Sequence, residues 1–164
     1  MNIEQFNLLP PSEAKALIES CVAIPAWQQQ MVEARPFSSV RQALDYADAL
    51  SQQWRQTELS EAFSAHPRIG ERARGEQAHQ LASRSEQSAV LAADSEVLQA
   101  MAEGNQAYEA RFGRIFLIRA KGRTPQEILE QLRRRLHNDD SEELGETLAQ
   151  LREITLLRLQ EVLS

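Results

Sequence analysis

Apolar residues recur at three- and four-residue intervals along most of the chain, and these intervals predict helices. Leu17, Ile18, Cys21 and Val22 form one such face, in a helix that Ser12 is placed to cap and Pro25 to end. Ahead of it, Asn7 to Pro11 reads as a turn. Trp27 to Ala34 forms a short second helix, stopped before Pro36. Ser38 or Ser39 caps the next, in which Val40, Leu44, Ala47 and either Leu50 or Trp54 share a face. Glu58 to Ala65 is short and helical, and ends before Pro67 because the residue ahead of a proline avoids the helical conformation.

The stretch from Ile69 to Ala82 is polar, carries Gly70 and Gly75, and reads as a loop with marginal helix. Helices follow from Ser83 to Ala92 and from Ser95 to Phe112, where Gly113 breaks the second. Ile115 to Ile118 is a short apolar run of extended type. Thr124-Pro125-Gln126-Glu127 is a helix start, with a threonine cap, proline at the first position and an acid in the first turn. Ile128, Leu129, Leu132 and Leu136 make the face of that helix. His137 to Asp140 turns the chain, and Ser141 opens a final helix running almost to the end. The fold class expected is all-α: one compact domain over residues 1–164, built of about seven to eight amphipathic helices packed pairwise around one core.

Composition narrows the function classes. A net charge of -6 gives no basic field for nucleic acid or an anionic membrane, so neither partner is expected. No apolar stretch approaches the roughly 20 residues of a membrane span. The single cysteine excludes an intrachain disulfide and suits a reducing compartment. Residues 1–11 lack the basic start and apolar run of a secretory signal, and the chain does not end in Ser-Lys-Leu, so a cytoplasmic protein is expected. His66, His79 and His137 lack metal-ligand spacing, and no phosphate loop or dinucleotide fingerprint is present. Cys21, on an apolar helix face, reads as core.

Three places could carry chemistry. His66-Pro67-Arg68-Ile69-Gly70 puts an imidazole at a helix end, presented in a defined way by the proline after it. It is either a proton-transfer group or a histidine matched to a helix C-terminus. Ser83, Glu86 and Gln87 stand at i, i+3 and i+4 and share a helical face. That face either grips a polar ligand or is a capping box. Arg158 falls inside the apolar arc of Leu144, Leu148, Leu151, Ile154 and Val162, at about 100° per residue. A core-facing arginine needs an anion or several acceptors, so Arg158 is a clamp for a ligand carboxylate, one half of a structural ion pair, or a side chain that reaches out to solvent. The Arg119 to Arg123 segment reads as a solvated loop or a local anion site. Arg133-Arg134-Arg135 reads as a solvated helix face, and Tyr108 with Phe112 as packing.

Read together, the strings have an order. His66-Pro67-x-x-Gly70 is followed by Ser83-x-x-Glu86-Gln87 and by Asn105-x-x-Tyr108-x-x-Arg111-Phe112-Gly113-x-x-Phe116. Lys121-Gly122-Arg123, Arg135-Leu136-x-Asn138 and Ile154-x-x-x-Arg158-Leu159 complete the series. The set resembles the 2-oxo-4-hydroxy-4-carboxy-5-ureidoimidazoline (OHCU) decarboxylases, over nearly the whole chain. The resemblance implies an all-α fold, usually a homodimer, without metal or organic cofactor. It implies decarboxylation of a small anionic ureidoimidazoline to (S)-allantoin, the last step of urate degradation. His66 would be the catalytic acid and Glu86 its polar partner at the substrate. Pro67, Ser83, Gln87, Phe116 and the main chain from Ile118 through Arg119 to Ala120 would line the pocket, and Arg158 would hold the substrate carboxylate or a carbonyl. The competing expectations are a non-enzymatic helical interaction module and another cofactor-free enzyme of ureide metabolism.

Overall fold

The structure, a computed structural model, describes residues 1–64 and 95–164. The chain falls into two compact units, one formed by 1–65 with 152–164 and the other by 66–151. All regular structure among the described residues is helical, as the apolar periodicity predicts. The loop expected over 69–82 and the helix expected over 83–92 lie outside the described residues.

The first unit opens with α1 (Ile3–Leu8), where a turn was expected from Asn7 onward. A reciprocal cap makes this short helix possible: the Gln5 amide donates to Asn2 Oδ1 at 2.8 Å and the Asn2 amide to Gln5 Oε1 at 3.1 Å. Its far end is held by Arg35, whose Nη1 donates to the carbonyls of Phe6 and Leu9 at 2.8 and 2.7 Å. Helix α2 (Pro11–Ile18) starts one residue before the expected Ser12 cap, because Pro11 takes the first helical position, where its missing N–H costs nothing. It also stops early. Cys21 and Val22, expected on its face, follow it outside the helix, Cys21 in a turn, yet both are buried. Proline opens α3 (Pro25–Glu33) as well. Its Trp27 indole donates to the Ala47 carbonyl of α4 (Val40–Ser51) at 3.4 Å. Ser39 caps α4 by accepting from the Gln42 amide at 3.1 Å, which settles the choice between Ser38 and Ser39. Helix α5 (Gln56–Phe63) begins where the Arg55 amide donates to Glu58 at 3.0 Å.

In the second unit α6 (Ser95–Phe112) matches its expected bounds, and Gly113 ends it with φ +72°. Helix α7 (Pro125–Arg135) starts as expected, with Thr124 Oγ1 accepting from the Glu127 amide at 3.1 Å. Helix α8 (Asp140–Val162) is capped by Asp139, not opened at Ser141: Asp139 Oδ1 accepts from the Glu142 amide at 2.7 Å and the Asp139 amide donates back to Glu142 at 3.3 Å. Its residues up to Leu151 belong to the second unit and those from Arg152 to the first.

The core of the second unit gathers Met101 and Tyr108 of α6, Phe116, Ile118 and Ala120 of the connecting segment, and Ile128 and Leu132 of α7. Helices α6 and α7 approach closely at Gly104, where a Cβ would lie 2.5 Å from Leu132 Cδ2. Leu132 is fully buried, so its side chain must shift within the core to make room. Gly104→Ala is therefore expected to destabilise the protein by up to about 2 kcal/mol, overpacking of about 1–3 kcal/mol set against the roughly 1 kcal/mol that alanine gains in a helix. Gly145 of α8 has nothing within 4 Å of its Cβ position. Gly145→Ala is expected to raise the denaturation midpoint where Gly104→Ala lowers it.

Candidate functional site

Of the residues singled out in the sequence, His66, Pro67, Ser83, Glu86 and Gln87 lie outside the described residues. The others divide between the units. Arg158 of the first unit is buried, 4% exposed, as its position in the apolar arc requires. Its Nη1 donates to the Ser20 carbonyl at 3.4 Å. Solvent is thereby ruled out as its destination.

Phe116, Ile118, Arg119 and Ala120 belong to the second unit, on the segment joining α6 to α7. Neither turn nor bend interrupts residues 115–120. The side chains of Phe116, Ile118 and Ala120 enter the core cluster, whereas those of Leu117 and Arg119 are not part of it. This alternation is that of an extended chain. It is the extended run expected from the sequence, though no strand pairs with it among the described residues.

The peptide groups of this segment are sorted by edge. On one edge, the Leu117 carbonyl accepts from Arg135 Nη1 at 2.8 Å and the Arg119 amide donates to Gln150 Oε1 at 2.9 Å. On the same edge the Arg119 carbonyl accepts from Arg123 Nε at 2.9 Å. On the other, the amides of Ile118 and Ala120 and the carbonyl of Ile118 bond to no described residue. Ile118 and Ala120 are 6% and 8% exposed. Buried peptide N–H groups are almost always paired, so an edge of this kind is where the acceptors of a bound molecule fit.

Behind the clasped edge lies an ionic network. Arg135, expected on a solvated face with its neighbours, is instead 1% exposed. Ile128, Leu132 and Arg135 stand at i, i+4 and i+7, so Arg135 shares the buried face of α7, while Arg133 and Arg134 are exposed. Its Nη2 meets Glu143 Oε2 at 2.5 Å and Thr147 Oγ1 at 3.2 Å, and its Nε donates to Glu143 at 3.0 Å. Glu143 is fully buried, and also accepts from the Tyr108 hydroxyl and from Asn138 Nδ2. Burial opposes its charge, but the hydrogen bonds from Arg135 and Tyr108 and the Arg135 charge outweigh burial and hold its pKa below the ordinary value. Burial and the bond to Glu143 push the Tyr108 phenol up to about 12. Tyr108 also packs against Phe112 and Phe116, with ring centroids 4.7 and 5.2 Å away, which bears out its reading as a packing residue. The Arg135 guanidinium lies over the Phe116 ring at 4.5 Å. Both charges are paired and their donors and acceptors occupied, so the network holds structure and leaves the open peptide edge as the chemically available surface.

Among the described residues no group of three His, Cys, Asp or Glu side chains could hold a metal ion. Nor is any described helix long and apolar enough to cross a membrane.

Comparison with known proteins assigns the chain. The chain is 35% identical over 147 residues to the uric acid degradation bifunctional protein TTL of Arabidopsis thaliana, covering 88% of this chain and 45% of that one. It is 24% identical over 163 residues to the uric acid degradation bifunctional protein of Bacillus sp. (strain TB-90), covering 99% of this chain and 32% of the relative. The chain thus spans less than half the length of either curated relative. A crystal structure of OHCU decarboxylase in the presence of (S)-allantoin superposes with a TM-score of 0.75 at 33% identity, over 88% of this chain and 95% of that one. A crystal structure of (S)-allantoin synthase shares the fold, with a TM-score of 0.71 at 15% identity over 99% of this chain and 54% of that one. The family model described as OHCU decarboxylase matches residues 7–160, across both units and every string from His66 to Arg158, and the chain belongs to that family.

Proposed function

We propose that this chain decarboxylates 2-oxo-4-hydroxy-4-carboxy-5-ureidoimidazoline to (S)-allantoin, the last step from urate, without metal or organic cofactor. The observation that carries the reading is the buried peptide edge at Ile118 and Ala120, open in a chain of this family. Side by side, the N–H and C=O of Ile118 match the paired C=O and N–H of a ring lactam or a urea, and the Ala120 amide adds a donor for a further oxygen. The substrate carries all of these groups. That a solved relative at 33% identity was crystallised with (S)-allantoin supports the same choice of ligand.

In the mechanism, the bond from the ring carbon to its carboxylate breaks and leaves its electron pair on that carbon. The pair spreads into the neighbouring C=N bond, and carbon dioxide departs. Glu86 accepts a hydrogen bond from the ring hydroxyl and turns the carboxylate out of the ring plane. The hydroxyl carbon becomes a carbonyl as its hydroxyl proton is lost, and His66 governs delivery of a proton, on one face, to the neighbouring ring carbon that bears the ureido group, which sets the S configuration. Pro67, Ser83, Gln87 and Phe116 line the pocket, and Arg158 pairs with the carboxylate or a carbonyl. Orientation and preorganised donors supply the rate. The reading treats residues 1–164 as one catalytic domain, working as a homodimer in the cytoplasm. The extent of the family match over both units supports the first of these, and the single cysteine the last.

The assay generates the substrate in situ from urate and follows the product by circular dichroism. Formation of (S)-allantoin faster than the spontaneous racemic route is expected; a racemic product at the uncatalysed rate overturns the reading.

A further inference from the structure

We propose that Gln150 is a positioning residue of the decarboxylase site, acting through the Arg119 amide on the peptide edge that meets the ligand. The inference rests on the function proposed above and deepens it.

A trans peptide unit is planar, with its C=O and N–H pointing in opposite directions. Fixing one therefore aims the other. Three consecutive peptide units between Leu117 and Ala120 are each fixed by one side chain. Arg135 holds the Leu117 carbonyl at 2.8 Å, which turns the Ile118 amide to the opposite edge. Gln150 holds the Arg119 amide at 2.9 Å, which turns the Ile118 carbonyl there. Arg123 holds the Arg119 carbonyl at 2.9 Å, which turns the Ala120 amide there. The open edge is thus a donor, an acceptor and a donor, and each is aimed by a residue on the far side of the backbone.

Gln150 has a distinct place in this set. Arg135 is committed to Glu143 and Thr147, so its removal disturbs a buried network. Arg123 sits beside the segment it holds, four residues from Arg119. Gln150 comes from the middle of α8 and holds the Arg119 amide from outside the segment. If the unit between Ile118 and Arg119 rotates, the Arg119 amide replaces the Ile118 carbonyl on the ligand edge. A donor then stands where an acceptor is needed, opposite an N–H of the ligand, and the lactam or urea loses its two-point contact. Gln150 thereby sets recognition of a ligand N–H without touching the ligand.

The test compares Gln150→Leu, which keeps size but offers no acceptor, with Gln150→Glu, which keeps the acceptor. For Gln150→Leu, KM is expected to rise about tenfold with a smaller change in kcat, the scale of one lost hydrogen bond to the backbone. The melting temperature is expected to stay close to that of the parent protein. Gln150→Glu is expected to recover most of the loss, whereas a merely structural role would give neither the KM split nor the rescue. Independently of activity, amide hydrogen exchange is read by NMR at Arg119, and (S)-allantoin is titrated as the probe. Protection at Arg119, and shifts of the Ile118 and Ala120 amides with allantoin, are expected in the parent protein and Gln150→Glu and lost in Gln150→Leu. Unchanged Arg119 protection in Gln150→Leu, a KM within about twofold of the parent, or a Gln150→Glu variant as impaired as Gln150→Leu overturns the inference. A parent protein that orders Arg119 through Gln150 but forms no (S)-allantoin overturns the proposed reaction instead.

Discussion

Glu143→Ala is expected to cost the protein about 3–5 kcal/mol of stability. The carboxylate is fully buried and faces a guanidinium that is 1% exposed. Removing it leaves Arg135 charged in a site that water does not reach, with Tyr108 and Asn138 each missing an acceptor. The measurement is a urea or thermal midpoint. A second variant separates the charge from the packing: Arg135→Met with Glu143→Leu removes both charges and fills the space, and is expected to recover much of the loss. A single Glu143→Ala within about 1 kcal/mol of the parent contradicts the expectation. The network also has a pH signature. Glu143 has an ordinary value of 4.5 and a lower one in the folded protein. Its contribution is thus fully present above pH 4.5 and lost as pH falls through the folded value. Glu143→Gln is expected to flatten that acid limb.

His66→Asn is expected to lower kcat by about 10²- to 10⁴-fold while leaving the fold intact. Asparagine approximates the size of the imidazole and keeps a donor. It cannot gain and lose a proton near neutrality, and under the proposed mechanism that is the one property the reaction asks of the residue. Pro67 restricts the backbone of either side chain alike. The assay is the same stereospecific formation of allantoin, read against the spontaneous rate. Activity retained in a folded His66→Asn protein removes His66 from the mechanism.

Much of the fold was legible because helix boundaries follow local chemistry. The glycine after Phe112 and the Thr124-Pro125 start mark α6 and α7 without reference to the rest of the molecule. Where the bounds differ from expectation, a local signal accounts for the difference. Asn2 with Gln5 and Asp139 with Glu142 are reciprocal caps at the same spacing, and proline at a first helical position explains α2 and α3. Cys21 and Val22 show a different limit. They keep helical spacing with Ile18 and are buried like it, yet tertiary packing buries them from outside the helix, which periodicity cannot register.

The candidate site was legible unevenly. Arg158 was flagged by its phase among apolar neighbours, and its burial agrees. Arg135 carries the same phase signal in α7, following Leu132 by three residues, although a run of three arginines reads as a solvated face. In α8, Glu143, Thr147 and Leu151 share a face in the same way, so the partner was readable too. Gln150 was not. It acts on a peptide group, and no pattern of side chains records which backbone amide a glutamine will reach.

The open edge at Ile118 and Ala120 consists of peptide atoms, which every residue except proline supplies in the same form. A scan that replaces side chains one at a time would pass over it in silence, scoring both positions as ordinary packing. Its role would surface only when the backbone is edited, for instance by an amide-to-ester exchange at either position, which deletes one donor and leaves every side chain in place.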